Sequence, residues 1–103
     1  MFKFIMIYVT NPDLKTARRI ARHLIGQRSI ACVNLFPIGS LYWWQGKVED
    51  EKEVVMIAKT LPKNFAKVKK EVEKLHPYQV PCIIKIEASC NRCFYEWLKK
   101  EIR

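Results

Sequence analysis

The chain has 103 residues, of which 50% are hydrophobic and 28% charged, and its formal net charge at pH 7 is +9. This length and composition predict one ordered domain over residues 1–103, because a chain of about 100 residues can bury roughly two-thirds of its unfolded surface. No apolar run approaches the ~20 residues that a membrane-spanning helix needs, so no membrane partner is expected.

The N-terminal segment is apolar, but it has neither a basic stretch at its start nor a small-residue cleavage site. Its pattern predicts a first strand rather than a signal peptide, and we therefore expect a cytoplasmic location. In that compartment the four cysteines are expected to be reduced thiols rather than a disulfide framework. They are Cys32, Cys82, Cys90 and Cys93.

The first strand is predicted over residues 2–9, which are apolar on both faces, as in a central strand. Residues 11–13 carry helix-start signals, with Asn11 predicted as the N-cap. Apolar residues then recur at helical spacing over 14–25, and Gly26 is predicted to end this first helix.

A long extended segment follows over residues 30–44, interrupted by Pro37 and Gly39. Residues 45–46, Gln-Gly, give a weak two-residue turn signal, and residues 47–60 are predicted to return as the partner strand. These patterns predict a long β-hairpin.

The length of this hairpin raises the question of what covers its tip. Thirteen residues from Cys32 to Trp44 span roughly 43 Å as a straight strand, whereas a globule of this size has a diameter of roughly 34 Å. The hairpin must therefore bend, with Pro37 and Gly39 as the expected bend, or project beyond its own domain. In either case the aromatic tip, Tyr42–Trp44, has too little of its own chain to pack against, and a neighbouring subunit is the expected cover.

The remaining elements are a helix with its apolar stripe between Phe65 and Leu75, a strand over residues 81–88 and a short closing helix over residues 92–102. The helix is predicted to end at His76, because the residue before a proline is pushed out of helical geometry. The order βαββαβ predicts a ferredoxin-like sandwich of the α+β class, with two helices on one face of a four-stranded sheet.

Two acidic or thiol clusters allow more than one interpretation. Glu49, Glu51 and Glu53 share one face of a strand, so they could bind a hard cation, but a solvated hairpin arm is the favoured interpretation. Cys90 and Cys93 form a Cys-x-x-Cys pair at a helix start, a spacing also used by redox and metal-binding thiols, yet no second pair with zinc spacing exists. A structural role is favoured for both thiols, with thiol oxidation or soft-metal capture as the alternative.

His76 lies at a helix C-terminus, where either a capping role or metal ligation is chemically reasonable. The cations fall mostly on the two long helices and alternate with their apolar stripes, as on a solvated face. The strand over residues 47–60 has no stacking aromatic, so no specific nucleic-acid binding is expected, although non-specific polyanion affinity at low salt stays open. The sequence has no recognised catalytic motif, and we do not expect an enzyme.

Three stretches of the sequence, "ACVNLFPIGSLYWWQGKVEDEKEVVMIAKT", "LHPYQVPCII" and "NRCFYEWL", resemble the CutA family of divalent-cation tolerance proteins. The resemblance spans almost the whole chain. It implies a cytoplasmic, non-catalytic homotrimer whose long hairpins pack between subunits, and a role in tolerance of metal ions, copper above all. The family trimer is also similar to that of the PII signalling proteins, which bind small ligands in clefts between subunits.

The resemblance also implies roles for individual residues. His76 matches a family histidine assigned as a copper ligand, and Cys32 matches a family cysteine that could supply a thiolate. Some members add a cysteine where this chain has Val9 and a histidine where it has Leu75, and Cys82 stands where a glutamate is common. The implied cofactor is therefore a divalent metal ion, copper first, at a weak or incomplete site.

An alternative function is a PII-like sensor of small molecules, or a protein scaffold, that uses the cleft between subunits. The aromatic tip residues Tyr42, Trp43 and Trp44 are expected to anchor the trimer in either case. The candidate cleft residues are Asn34, Tyr42, Lys59, Tyr78, Tyr95 and Trp97.

Overall fold

A computed structural model of the chain describes residues 2–103. Its elements in chain order are β1 (Phe2–Asn11), α1 (Leu14–Gly26), β2 (Cys32–Trp44), β3 (Lys47–Thr60), α2 (Phe65–Leu75), β4 (Ile83–Cys90) and α3 (Arg92–Glu101). One antiparallel sheet has the strand order β2-β3-β1-β4. The predicted ferredoxin-like βαββαβ fold with a closing helix is confirmed.

The two faces of the sheet are covered differently. On one face, Ile5, Ile7 and Val9 of β1 pack in the main core with the buried stripes of α1 and α2, because alternate side chains of a strand point to opposite faces. On the other face, Phe4 packs with Leu98 of α3 in a smaller core. This second face is covered by α3 only near the start of β1, so the far end of the face is open.

The start of α1 differs from the sequence prediction. Asp13, rather than Asn11, is the N-cap, and its side chain accepts a 2.7 Å hydrogen bond from the backbone N–H of Thr16. Asn11 is the last residue of β1, where it pairs with Val54, and its buried amide Nδ2 donates to the backbone oxygens of Val9 and Val54. The sheet therefore runs two residues further than the predicted strand. At the other end of the helix, Gly26 is the last residue, as predicted.

The β2–β3 hairpin projects from the rest of the chain, and the longest dimension of the whole chain is 45 Å. Its turn is formed by Gln45 and Gly46, whose φ angles of 51° and 80° match the type I′ turn that suits a two-residue hairpin. Pairing continues one-to-one from Cys32 to Trp44, so Pro37 and Gly39 do not mark a bulge. Pro37 fits because β2 is an edge strand.

The remaining boundaries shift only slightly. The fourth strand begins at Ile83 rather than residue 81, and α2 ends at Leu75 with His76 as its C-cap. Within residues 2–103, no helix is both long and apolar enough to cross a membrane.

Candidate functional site

The open end of the second sheet face is the most unusual surface of the subunit. Strand register places Phe36, Tyr42 and Trp44 of β2 on the same face as Ile84 and Ile86 of β4, and all five side chains are exposed. On the opposite side of the hairpin tip, Leu41, Trp43 and Val48 are 73%, 75% and 56% exposed. An isolated subunit thus exposes large apolar side chains on both sides of its tip.

An open cavity of about 940 Å³ lies between this hairpin and the segment that follows α2. Its walls combine aromatic rings, including Tyr42 and Tyr78, with the carboxyl groups of Glu49, Glu51 and Glu53, which line one face of β3 as the sequence predicts. Partial desolvation raises the pKa of the Tyr42 hydroxyl, and the three nearby glutamates raise it further. The cavity is therefore an acidic, aromatic-lined recess on a chain whose net charge is strongly positive.

Glu53 and Tyr78 form the deepest polar contact at this recess. The Tyr78 hydroxyl donates a 2.6 Å hydrogen bond to Glu53 Oε2, and Glu53 is only 6% exposed. Burial, and then the Glu53 carboxyl group, raises the pKa of Tyr78 well above its ordinary value. The same two causes, burial first, raise the pKa of the nearby Cys82 thiol, which favours its protonated form.

His76 is held by hydrogen bonds through both nitrogens of its ring. Nε2 lies 2.8 Å from the backbone oxygen of Thr10, and Nδ1 accepts a 3.1 Å hydrogen bond from the backbone N–H of Tyr78. Because a carbonyl only accepts, the proton is on Nε2 and the ring is neutral. Burial lowers the pKa of His76, which is consistent with that neutral state. Its backbone N–H also caps α2 by donating to the oxygen of Val72 over 2.8 Å.

The two predicted metal ligands lie in different parts of the sheet. Cys32 is paired with Lys59, which is itself paired with Met6, whereas the His76 ring contacts Thr10. Four residues along β1 separate these positions, or about 13 Å at the usual strand rise. Within residues 2–103, no group of three or more His, Cys, Asp or Glu side chains could hold a metal ion. One subunit therefore does not bring a complete ligand set together.

The predicted cleft residues fall into two groups on the second sheet face. Tyr42 and Tyr78 lie at the cavity. The others are Asn34 and Lys59 on the paired strands and Tyr95 and Trp97 on α3. Lys59 and Glu49, the partner of Tyr42, are ten residues apart on β3, or about 33 Å. The structure thus places the two groups at opposite ends of one subunit.

Sequence reasoning did not find the contact between Glu53 and Tyr78, which are 25 residues apart in the chain. The only available signal was the period-two spacing that puts Glu53 on the same face as Glu49 and Glu51. Sequence reasoning also did not predict the hydrogen bond between the His76 ring and the Thr10 carbonyl oxygen. This contact depends on how the chain returns from α2 to β1.

Comparison with known proteins gives one consistent result. Residues 5–101 match the family described as CutA1 divalent ion tolerance protein. The divalent-cation tolerance protein CutA of Archaeoglobus fulgidus is 44% identical over 98 residues, which cover 93% of this chain and 95% of that protein. The human protein CutA is 37% identical over 95 residues, covering 90% of this chain and 53% of the human protein.

Solved structures agree over nearly the whole chain. The periplasmic divalent cation tolerance protein CutA from A. fulgidus superimposes with a TM-score of 0.94 at 40% identity, covering 97% of this chain and 99% of that one. CutA1 from Pyrococcus horikoshii gives a TM-score of 0.93 at 39% identity, covering 96% of this chain and 98% of that one.

Proposed function

The chain belongs to the CutA1 divalent ion tolerance family, and on that premise we propose that it acts as a non-catalytic homotrimer whose subunits meet along the open sheet face. The observation that carries this proposal is the uncovered apolar surface around the hairpin. Contiguous exposed apolar patches of this kind are rare on monomers and usually mark interaction sites.

The hairpin itself supplies the anchors of the proposed interface. Trp43 is 75% exposed on one side of the tip, while Tyr42 and Trp44 are about half as exposed on the other. A projecting two-stranded ribbon is at best marginally stable in water without further cover. A neighbouring subunit that packs on both sides of the tip provides this cover and removes the aromatic rings from water.

Light scattering tests this assembly. We expect the purified chain to have three times the subunit mass of 12.2 kDa at micromolar concentration. A stable monomer or a dimer under these conditions would contradict the proposal.

Weak binding of a divalent ion, copper first, is the second part of the proposal. The side chains of one subunit do not fit a complete site, because both His76 nitrogens are engaged and Cys32 lies at a different position in the sheet. Any ion held at His76 must therefore displace the hydrogen bond to Thr10 or the one from Tyr78. This requirement is consistent with weak rather than tight binding.

Calorimetry with copper tests the two predicted ligands separately. His76→Gln and Cys32→Ser should each reduce the heat of copper binding. His23→Gln serves as a matched control, because His23 is the other histidine of the chain. Isotherms that are identical for the native chain and both ligand variants would remove His76 and Cys32 from the metal site.

A ligand-sensing or scaffold function at the subunit cleft is the second candidate. The position of the predicted cleft residues favours it: in a trimer, the hairpin end of one subunit can meet the α3 end of the next. A small molecule in such a cleft would contact Tyr42 and Tyr78 from one subunit and Trp97 from its neighbour.

Indole resonances can report on this cleft, because Trp44 lies on its hairpin side and Trp97 on α3, whereas Trp43 points to the opposite side of the tip. A ligand bound between subunits should shift the Trp44 and Trp97 signals together. Candidate ligands that move signals at one end only, or at neither end, would argue against the cleft.

The cytoplasmic location is likewise a proposal. Four free cysteines support a reducing compartment, whereas the solved relative from A. fulgidus is described as periplasmic. Cell fractionation of the tagged full chain separates the two locations.

A further inference from the structure

The charge of the chain is concentrated on its helical layer. Helix α1 carries four cations and no carboxylate, and residues 62–75 carry five cations and two carboxylates, which accounts for +7 of the total +9. By contrast, residues 47–53 of the hairpin carry two lysines and four carboxylates. The hairpin tip therefore has the opposite net charge to the helical layer.

The cations on the helical layer form two regular rows. Lys67, Lys70 and Lys74 are spaced by three and four residues, so they follow one stripe on the side of α2 opposite its buried residues, such as Val68. Lys63 extends this row from the 3-10 turn Pro62–Asn64 that precedes α2. On α1 the spacing is three and four residues, again opposite the buried stripe. That second row consists of Lys15, Arg18 and Arg22, and all seven side chains belong to exposed residues.

Few carboxylates are available to neutralise these rows. Glu73 forms an ion pair with Lys69, and Glu71 is turned between the helices, where it bonds His23 at 2.8 Å and Gln27 at 2.7 Å. Hydrogen bonds from His23 and then Gln27 lower the pKa of Glu71, so its charge is committed to these partners. Within residues 2–103, none of the seven row cations has a carboxylate within ion-pair distance.

We propose that this basic face, made of the Lys63–Lys74 row and the Lys15–Arg22 row, binds duplex nucleic acid without sequence preference. From Lys67 to Lys74 the row spans about 10 Å, and packed helices lie about 8–10 Å apart, so two rows of cations face outward across a patch of similar width and length. Duplex DNA presents one negative charge per roughly 1.7 Å of its axis. Its phosphates can therefore pair with the cations of such a patch without any contact between the protein and the bases.

Two other polyanions fit the face less well. Helices that bind membranes bury an apolar face in the lipid, but the apolar stripes of α1 and α2 are already buried in the core, as Leu24 and Val72 show. Single-stranded nucleic acid is bound by stacking on aromatic rings. The two aromatic rings on these helices are those of Phe65, which packs against the main core, and of His23, which is bonded to Glu71.

Fluorescence anisotropy with a labelled duplex of about 20 base pairs tests the proposal, at salt concentrations from about 50 to 200 mM. The test variant is Lys67→Gln/Lys70→Gln/Lys74→Gln. The matched control is Arg92→Gln/Lys99→Gln/Lys100→Gln, which removes three charges from α3 on the other side of the sheet. Circular dichroism and light scattering verify that both variants keep the fold and assembly of the native chain.

We expect the native chain to bind at low salt, with an affinity that falls steeply as salt rises. Each lost phosphate contact makes the slope of log K against log salt shallower by about 0.9, so the α2 variant should lose up to about 3 in slope while the control keeps the native slope. Equal losses in both variants, or no binding at low salt, would overturn the proposal. Vesicles containing phosphatidylserine form the last arm, and tighter binding to them than to the duplex would assign the face to membranes instead.

Discussion

The Tyr78 hydroxyl donates a 2.6 Å hydrogen bond to Glu53, linking the segment after α2 to the base of the projecting hairpin. Glu53 is 6% exposed, so its carboxyl group is largely removed from water, and the Tyr78 hydroxyl replaces part of the lost solvation. The contact therefore stabilises both the hairpin base and the wall of the cavity.

Tyr78→Phe removes this donor and leaves the carboxyl group of Glu53 buried without it. We expect the free energy of unfolding to fall by about 1–3 kcal/mol, the usual cost of an unsatisfied buried polar group. Urea denaturation measures this change. Tyr95→Phe is the matched control, because no hydrogen bond is seen for the Tyr95 hydroxyl within residues 2–103 and the same atom is removed. Equal losses in both variants would show that the contact with Glu53 contributes nothing.

The neutral state of His76 predicts a loss of stability in acid. Burial holds the pKa of His76 below its ordinary value of 6.5, so the unfolded chain takes up a proton at a pH where the folded chain does not. This contribution is fully present above about pH 6.5 and is lost as the pH falls below that value. Urea midpoints measured from about pH 8 to pH 5 should therefore decline, and the decline should be smaller in His76→Gln.

The carboxyl groups provide an internal check on this assignment. Hydrogen bonds lower the pKa of Glu71, so its stabilising contribution is lost only below its ordinary value of 4.5. A native and a His76→Gln chain with parallel stability curves between pH 8 and pH 5 would show that His76 does not cause the acid response.

Asn11 predicts a large effect from a small substitution. Asn11→Asp replaces a buried amide that donates to two backbone oxygens, at 3.3 and 3.2 Å, with a carboxylate facing the same oxygens. We expect a loss of about 3 kcal/mol or more at neutral pH, because a buried charge without a partner is costly. Thermal unfolding measures it. The control is Asn91→Asp at the exposed N-cap of α3. A negative charge there interacts favourably with the helix dipole, so the unfolding temperature should stay the same or rise.

The tryptophans at the hairpin tip separate assembly from folding. Trp43→Ala/Trp44→Ala should weaken the trimer by about 2 kcal/mol or more for each anchor residue, while the isolated subunit loses little, since both rings are exposed in it. Sedimentation at a series of dilutions measures the dissociation. Leu14→Ala/Ile25→Ala is the control, because these exposed apolar residues lie on α1, away from the hairpin. A tip variant that stays as fully assembled as this control would show that the tip is not part of the interface.

The sequence predicted most of the fold because its periodicities are local. The spacing of apolar residues in α1 and α2, and the Gln45–Gly46 turn, all appear in the structure where they were expected. Asn11 was misassigned because its role depends on Val54, which is 43 residues away. The way Pro37 fits into the strand was hidden for a similar reason, since only the tertiary order of strands makes β2 an edge, where proline is accommodated without a bulge.

The candidate site was less predictable than the fold. Its polar contacts join residues distant in the chain: Glu53 meets Tyr78, and His76 meets Thr10 across 66 positions. A helix C-terminus alone favoured capping over metal ligation for His76 but left both interpretations open. The two hydrogen bonds on its ring show how the side chain is held in the subunit, while metal binding there remains a prediction.

The strand order also has a consequence for synthesis of the chain on the ribosome. β1 emerges first, yet its two partners in the sheet are β3 and β4, and pairing with β4 extends to Cys90. The hairpin of β2 and β3 is the only strand pair that can form from neighbouring segments, and it carries the exposed rings of Trp43 and Trp44. A nascent chain therefore exposes these apolar rings before its sheet can close, which is the stage at which a folding chain is most prone to aggregate.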